Sequence, residues 1–198
     1  MPTDPSRPPA SADAPPDSEW TVVDAAAPGR RGPHDLPRPR AQRPTLRFML
    51  SHPFHIVSLG FGSGLSPIMP GTCGTLFGWL SFAVLNPYLN TRAWLVLIVA
   101  GFVLGIGLCG FTARRMRVPD PGAVVWDEVI AMWIVLLFVM PTTFAGQLGS
   151  FLVFRFFDMV KPPPIRYFDR HLKGGFGIMF DDIVAALFTL IVIALWRH

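Results

Sequence analysis

Beyond residue 44, this 198-residue chain carries seven carboxylates: Asp120, Asp127, Glu128, Asp158, Asp169, Asp181 and Asp182. Four of them form two adjacent pairs, Asp127 with Glu128 and Asp181 with Asp182, each opening an apolar stretch. One acid near a helix N-terminus is favoured by the helix dipole, by roughly 0.3–1 kcal/mol. That accounts for one member of each pair, whereas its neighbour only adds repulsion. A divalent cation removes the repulsion, and oxygen donors with no His or Cys cluster beside them suit magnesium or manganese rather than zinc. Asp158 and Asp169 complete a set of six acids, drawn from three helix ends and one loop, expected on one face of the protein.

The basic residues follow a pattern too. In FRFFDMVKPPPIRYFDR (154–170), Arg155, Asp158 and Lys161 are spaced three apart, so they share one side of a helix before the prolines from Pro162 stop it. Arg166 and Arg170 follow, with Asp169 between them. A cation together with fixed positive side chains suits a phosphate group, whose oxygens bridge metal and guanidinium. The structural alternative is that Arg166, Arg170 and Lys173 meet lipid headgroups. The run GFGSGLSPIMPGTCG (60–74) offers backbone amides to a phosphate, with the hydroxyls of Ser63, Ser66, Thr72 and Thr75. It matches neither a dinucleotide fingerprint nor a P-loop, and its glycines also suit close helix packing. Cys109 and Arg115 have the Cys-x5-Arg spacing of cysteine phosphatases, but the residues between them end an apolar helix, which makes Cys109 a core residue. His52 and His55 flank the start of the folded part and are expected at headgroup level.

The elements that must position these groups are apolar. Hydrophobic residues make up 51% of the chain and charged ones 15%, with a mean hydropathy of +0.43. Soluble domains carry about 25% charged residues, so a membrane protein is indicated. Apolar stretches run over 75–89, 93–113, 124–140, 144–157 and 178–196, with Pro141 closing the third. Only the second and last approach the ~20 residues that cross a bilayer core. The expected fold is therefore all-α: a compact multi-helix integral membrane bundle of tilted or partly inserted helices over residues 45–198. Residues 60–74 are too rich in Gly and Pro for a regular helix and are expected to form a loop. Trp79, Trp94, Trp126, Trp133 and Trp196 lie near stretch ends and are expected to anchor the bundle at the interface.

Residues 1–44 hold 11 of the 21 prolines and few aliphatic side chains, which predicts a disordered tail with no signal-peptide character. Six Arg and six acids cancel there, leaving the net +4 in the apolar part, where it suits an anionic lipid surface. No basic stripe is interleaved with aromatics, so nucleic acid is not an expected partner. Arg114, Arg115 and Arg117 after the second stretch, and Lys161, Arg166, Arg170 and Lys173 after the fourth, place both loops in the cytoplasm by the positive-inside tendency.

Four blocks in order carry a family resemblance: GFGSGLSPIMPGTCGT (60–75), VVWDEVIAMW (124–133), FRFFDMVKPPPIRYFDR (154–170) and GGFGIMFDDIVAA (174–186). Together they resemble the phosphatidylglycerophosphatase A family over about His52 to Leu190. The resemblance implies a multi-pass enzyme of the bacterial inner membrane, dependent on Mg2+, that removes the terminal phosphate of phosphatidylglycerophosphate. The family's acidic motifs fall on Asp127, Glu128, Asp158, Asp169, Asp181 and Asp182, and its basic motif on Arg155, Lys161, Arg166 and Arg170. On this reading Asp127, Glu128, Asp181 and Asp182, with Asp158 as a further candidate, hold one or two magnesium ions. Lys161 and the arginines then neutralise phosphate charge at a cytoplasm-facing site. An attacking water is favoured over an aspartyl-phosphate, since no DxDx(T/V) signature is present. The rival is a small divalent-cation transporter or channel using the same acids, and the oligomeric state stays open.

Overall fold

The computed structural model describes residues 43–118, 121–161, 163, 172 and 174–197. The proline-rich segment up to residue 42, and Asp120, Arg166, Asp169, Arg170 and Lys173, lie outside the described residues. Among the described residues every regular element is helical: α1 (Leu46–Leu50), α2 (Pro53–Ser58), a kinked pair of 3-10 turns (Gly60–Leu65), α3 (Pro70–Leu85), α4 (Thr91–Met116), α5 (Trp126–Val139), α6 (Phe144–Val160) and α7 (Gly174–Arg197). No strand occurs among them.

Local chemistry sets the boundaries. Asn90 caps α4 by accepting from the Ala93 N–H at 2.9 Å, and Thr143 caps α6 by accepting from Gly146. Lys161 closes α6 in the left-handed region, φ 43°, and its N–H donates to the Phe157 carbonyl. The α3, α5 and α6 helices have 16, 14 and 17 residues. At 1.5 Å per residue none of these crosses a hydrocarbon core of about 30 Å. Among the described residues two helices, α4 and α7, are long and apolar enough to do so.

The five long helices alternate in direction. Gly74 and Gly78 of α3 face Val125 and Val129, so α3 and α5 run parallel. Gly110 near the end of α4 meets Gly175 at the start of α7, so these two are antiparallel. One end of the bundle thus collects the starts of α3, α5 and α7 and the ends of α4 and α6. The core is centred on α5, where Val129, Ile130, Ala131, Met132, Val135 and Leu136 are fully buried.

Three expectations are corrected. Residues 70–74 are not loop but the first turn and a half of α3. Pro70 occupies N1, where its missing N–H is harmless, and a Cβ at Gly74 would lie 2.5 Å from Val125 Cβ. The glycines there permit α3 to press on α5, which offsets their poor helix propensity. Helix α7 begins at Gly174, so Asp181 and Asp182 stand just over two turns inside it rather than at its opening. Finally, Trp79, Trp94, Trp126 and Trp133 are core residues, 1–9% exposed, whereas Trp196 is 89% exposed. Their indole N–H groups find internal acceptors: Gln147 for Trp79, Asn86 for Trp94, the Gly101 carbonyl for Trp126 and the Gly78 carbonyl for Trp133. Satisfied in this way, Trp94, Trp126 and Trp133 pack edge to face inside the bundle.

Candidate active site

At the shared end of the bundle, the segment before α5 is pinned first. The Val125 N–H donates to the Ser58 carbonyl at 2.9 Å, and Gly64 approaches the Ala123 carbonyl more closely than any side chain would allow. This fixes the entry of α5, whose first turn presents Asp127 and Glu128. Asp182 arrives from α7. One carboxylate oxygen from each of the three lies within 4.8 Å of the others, and the residues are 8%, 9% and 3% exposed.

Buried carboxylates this close repel strongly, because the surroundings screen them far less than water does. Glu128 Oε2 and Asp182 Oδ2 are buried and have no hydrogen-bond partner among the described residues. Hydrogen bonding among the described residues therefore leaves these two oxygens unused.

The cations stand to one side. Arg155, a turn and a half before the end of α6, pairs through Nη1 with Asp158, lies 3.9 Å from Glu128 Oε1 and donates to Thr75 Oγ1 at 3.3 Å. Thr75 in turn donates to the Gly71 carbonyl at 2.9 Å. Lys161 Nζ contacts Asp181 Oδ2 at 2.5 Å. Arg155 Nε and Thr72 Oγ1 are buried without hydrogen-bond partners among the described residues. Among the described residues, five carboxylates here meet two cations.

The structure thus gathers Asp127, Glu128, Asp182, Asp181, Asp158, Arg155, Lys161 and Thr75 at one end. Ser63 does something else: its hydroxyl donates to the Gly60 carbonyl at 2.8 Å and closes a local turn. The expected roles of Arg166, Asp169 and Arg170 fall outside the described residues. One participant escaped the sequence reading. A Cβ on Gly71 would lie 2.3 Å from Glu128 Oε1 and 3.2 Å from Arg155 Nη2, so only glycine lets α3 begin against this pair. The Pro-Gly step at 70–71 was the available signal.

His55 is packed inside the protein. It is 3% exposed, shares a 3.0 Å hydrogen bond with Thr112 and stacks near Phe111. Burial, with His52 and Arg115 nearby, holds its pKa below the ordinary imidazole range. Cys109 is fully buried, as a core residue should be.

Fold and site together define a class: an all-helical bundle, with helices long enough for a membrane, that gathers buried acids, an arginine and a lysine at one end. The sequence profile of the phosphatidylglycerophosphatase A family matches residues 56–197, and the chain belongs to that family. It is 44% identical over 143 residues to the phosphatidylglycerophosphatase A of Escherichia coli K12, covering 72% of this chain and 83% of that one. The Haemophilus influenzae phosphatidylglycerophosphatase A is 42% identical over 150 residues, 76% of this chain and 92% of its own. A Bacteroides thetaiotaomicron protein, provisionally named a phosphatidylinositol-3-phosphatase, is 34% identical over 72% of this chain and 92% of its own. No solved structure matches the chain.

Proposed function

We propose that this protein is a magnesium-dependent phosphomonoester hydrolase that converts phosphatidylglycerophosphate to phosphatidylglycerol and inorganic phosphate in phospholipid biosynthesis. It acts as a multi-pass protein of the bacterial inner membrane with its site facing the cytoplasm. The relatives named phosphatidylglycerophosphatase A support the substrate. The observation that carries the chemistry is the buried Asp127, Glu128 and Asp182 cluster, with orphaned oxygens on Glu128 and Asp182. Such a donor set, hard and oxygen-only, fits Mg2+.

Asp127, Glu128 and Asp182 would hold the ion, with Asp181 and Asp158 as flanking carboxylates. When bound, magnesium would polarise the phosphoryl group and lower the pKa of an attacking water. Arg155 presents its guanidinium edge beside Glu128, where it neutralises charge on the equatorial phosphoryl oxygens. Lys161, held by Asp181, adds a second positive charge. Thr72 offers a hydroxyl from α3, Thr75 steadies Arg155 by accepting from it, and Gly71 keeps that helix start close to both. Water oxygen bonds to phosphorus, the phosphorus–glycerol oxygen bond breaks, and the glycerol oxygen leaves with a proton. The lipid's headgroup reaches the rim by lateral diffusion, and its acyl chains stay in hydrocarbon.

Purified protein supplied with phosphatidylglycerophosphate and magnesium should release inorganic phosphate, and Asp182→Asn should not. Rapid quench with labelled substrate should leave the protein unphosphorylated. Wild-type turnover by Asp182→Asn would end this account.

A further inference from the structure

A cavity of about 440 Å³ opens between the start of α6 and the end of α7, at the end of the bundle opposite the acids. Its size falls within the roughly 300–1,000 Å³ of small-molecule sites. Val139, Val153, Val192, Ile193 and Trp196 wall it, and glycines and small side chains of α6, Gly149 among them, line the rest. Among the described residues no charged one lines it. A Cβ built on Gly149 meets nothing within 4 Å, so the space is kept open by the missing side chain.

The two helices that bound the cavity also carry the polar site: Arg155 and Asp158 on α6, Asp181 and Asp182 on α7. Gly149 lies six residues from Arg155 and Val192 ten from Asp182, about 9 and 15 Å along the helices. Half of a hydrocarbon core is about 15 Å. A lipid whose phosphate sits at the acids and whose chain follows α6 and α7 would therefore bring its distal methylenes to this cavity. We propose that the cavity is an acyl-chain site for the phospholipid substrate and that Gly149 sets the chain length it accepts. The inference rests on the lipid-phosphatase reading above. It adds that the protein grips the substrate at two places, a polar headgroup site and an apolar tail site on the same helix pair.

Gly149→Phe places a ring in the open space, its Cβ meeting no described atom within 4 Å, and Gly149→Ala is the mild control. KM should be measured in mixed micelles for long-chain and six-carbon-chain phosphatidylglycerophosphate. Excluding about two methylenes corresponds to about a tenfold loss of affinity. Gly149→Phe should therefore raise the ratio of long-chain to short-chain KM about tenfold, with Gly149→Ala near wild type. An unchanged ratio overturns the proposal. So does a Gly149→Phe variant that turns a dimer into a monomer on native gels, because the occupant would then be a second copy of this chain. If the wild type hydrolyses neither lipid, the phosphatase reading fails by itself. Native mass spectrometry then decides the cavity: a long-chain phospholipid retained by wild type and lost in Gly149→Phe supports it, and equal retention overturns it.

Discussion

Gly71 on α3 and Glu128 on α5 meet so closely that a single added carbon at Gly71 would stand 2.3 Å from the Glu128 Oε1 atom. The same carbon would stand 3.2–3.3 Å from both terminal nitrogens of Arg155. The start of α3 is therefore built into the site, and Glu128 and Arg155 can hold their places only while position 71 lacks a side chain. Gly71→Ala should lower kcat about 100-fold, the cost of displacing reacting groups by about an ångström. Circular dichroism should show unchanged helix content. Full activity in Gly71→Ala would remove α3 from the catalytic geometry.

Asp127→Asn, Glu128→Gln and Asp182→Asn should each lower phosphate release by about 1,000-fold. Their stability should move in a less familiar direction. The cluster joins like charges in a buried setting, so neutralising one relieves repulsion. In EDTA, Asp182→Asn should unfold at a temperature equal to or above that of wild type. Added magnesium should stabilise wild type by mass action and the variant far less. Thermal unfolding in detergent, with and without magnesium, measures both effects. A variant that is less stable in EDTA and still gains from magnesium would contradict the assignment.

How much of this was legible in the sequence follows from which forces are local. The paired acids announced themselves because charge in an apolar chain is rare, and Arg155, Asp158 and Lys161 because a helix repeats every three to four residues. The five long helices lie close to the apolar stretches that predict them. What the sequence hid was tertiary. Gly71 and Gly74 look like helix breakers until Glu128 and Val125 are seen pressed against them. Trp94, Trp126 and Trp133 resemble interface anchors until their indole N–H groups find Asn86, Gly101 and Gly78. The start of α7 at Gly174 was masked for the same reason, because Gly175 is helical where it packs on the Ile106 carbonyl of α4. Ser63, chosen for its hydroxyl, turns out to serve its own turn.

Arg155 touches Asp158, Thr75 and, at longer range, Glu128, a set of contacts that depends on a planar fork of donors. Arg155→Lys keeps the charge but loses the fork, and kcat/KM should fall about 10–100-fold. Arg155→Ala leaves buried carboxylates without that cation and should also destabilise the fold by about 3 kcal/mol. Denaturation of both variants beside their kinetics separates the two effects. Wild-type kinetics in Arg155→Lys would show that the fork has no special part.

His55 gives a pH dependence whose sign is fixed by its setting. Its folded pKa lies below the ordinary 6.5, because burial, His52 and Arg115 all disfavour the charged ring. The unfolded chain then takes up a proton first as pH falls, so the stability from the His55–Thr112 packing is complete above 6.5 and is lost as pH drops toward the folded pKa. Between about pH 7.5 and pH 5.5 the wild type should lose more melting temperature than His55→Gln. Identical losses would mean that His55 is not held neutral.

The central claim is that the acids of α5 and α7 form a cation centre for hydrolysis of a lipid phosphomonoester. Its most direct test is inorganic phosphate release from phosphatidylglycerophosphate by the purified protein, first stripped with EDTA and then titrated with magnesium. The account predicts no release after stripping, recovery on adding magnesium, and no recovery in Asp182→Asn. Undiminished release by the stripped wild-type protein would contradict it.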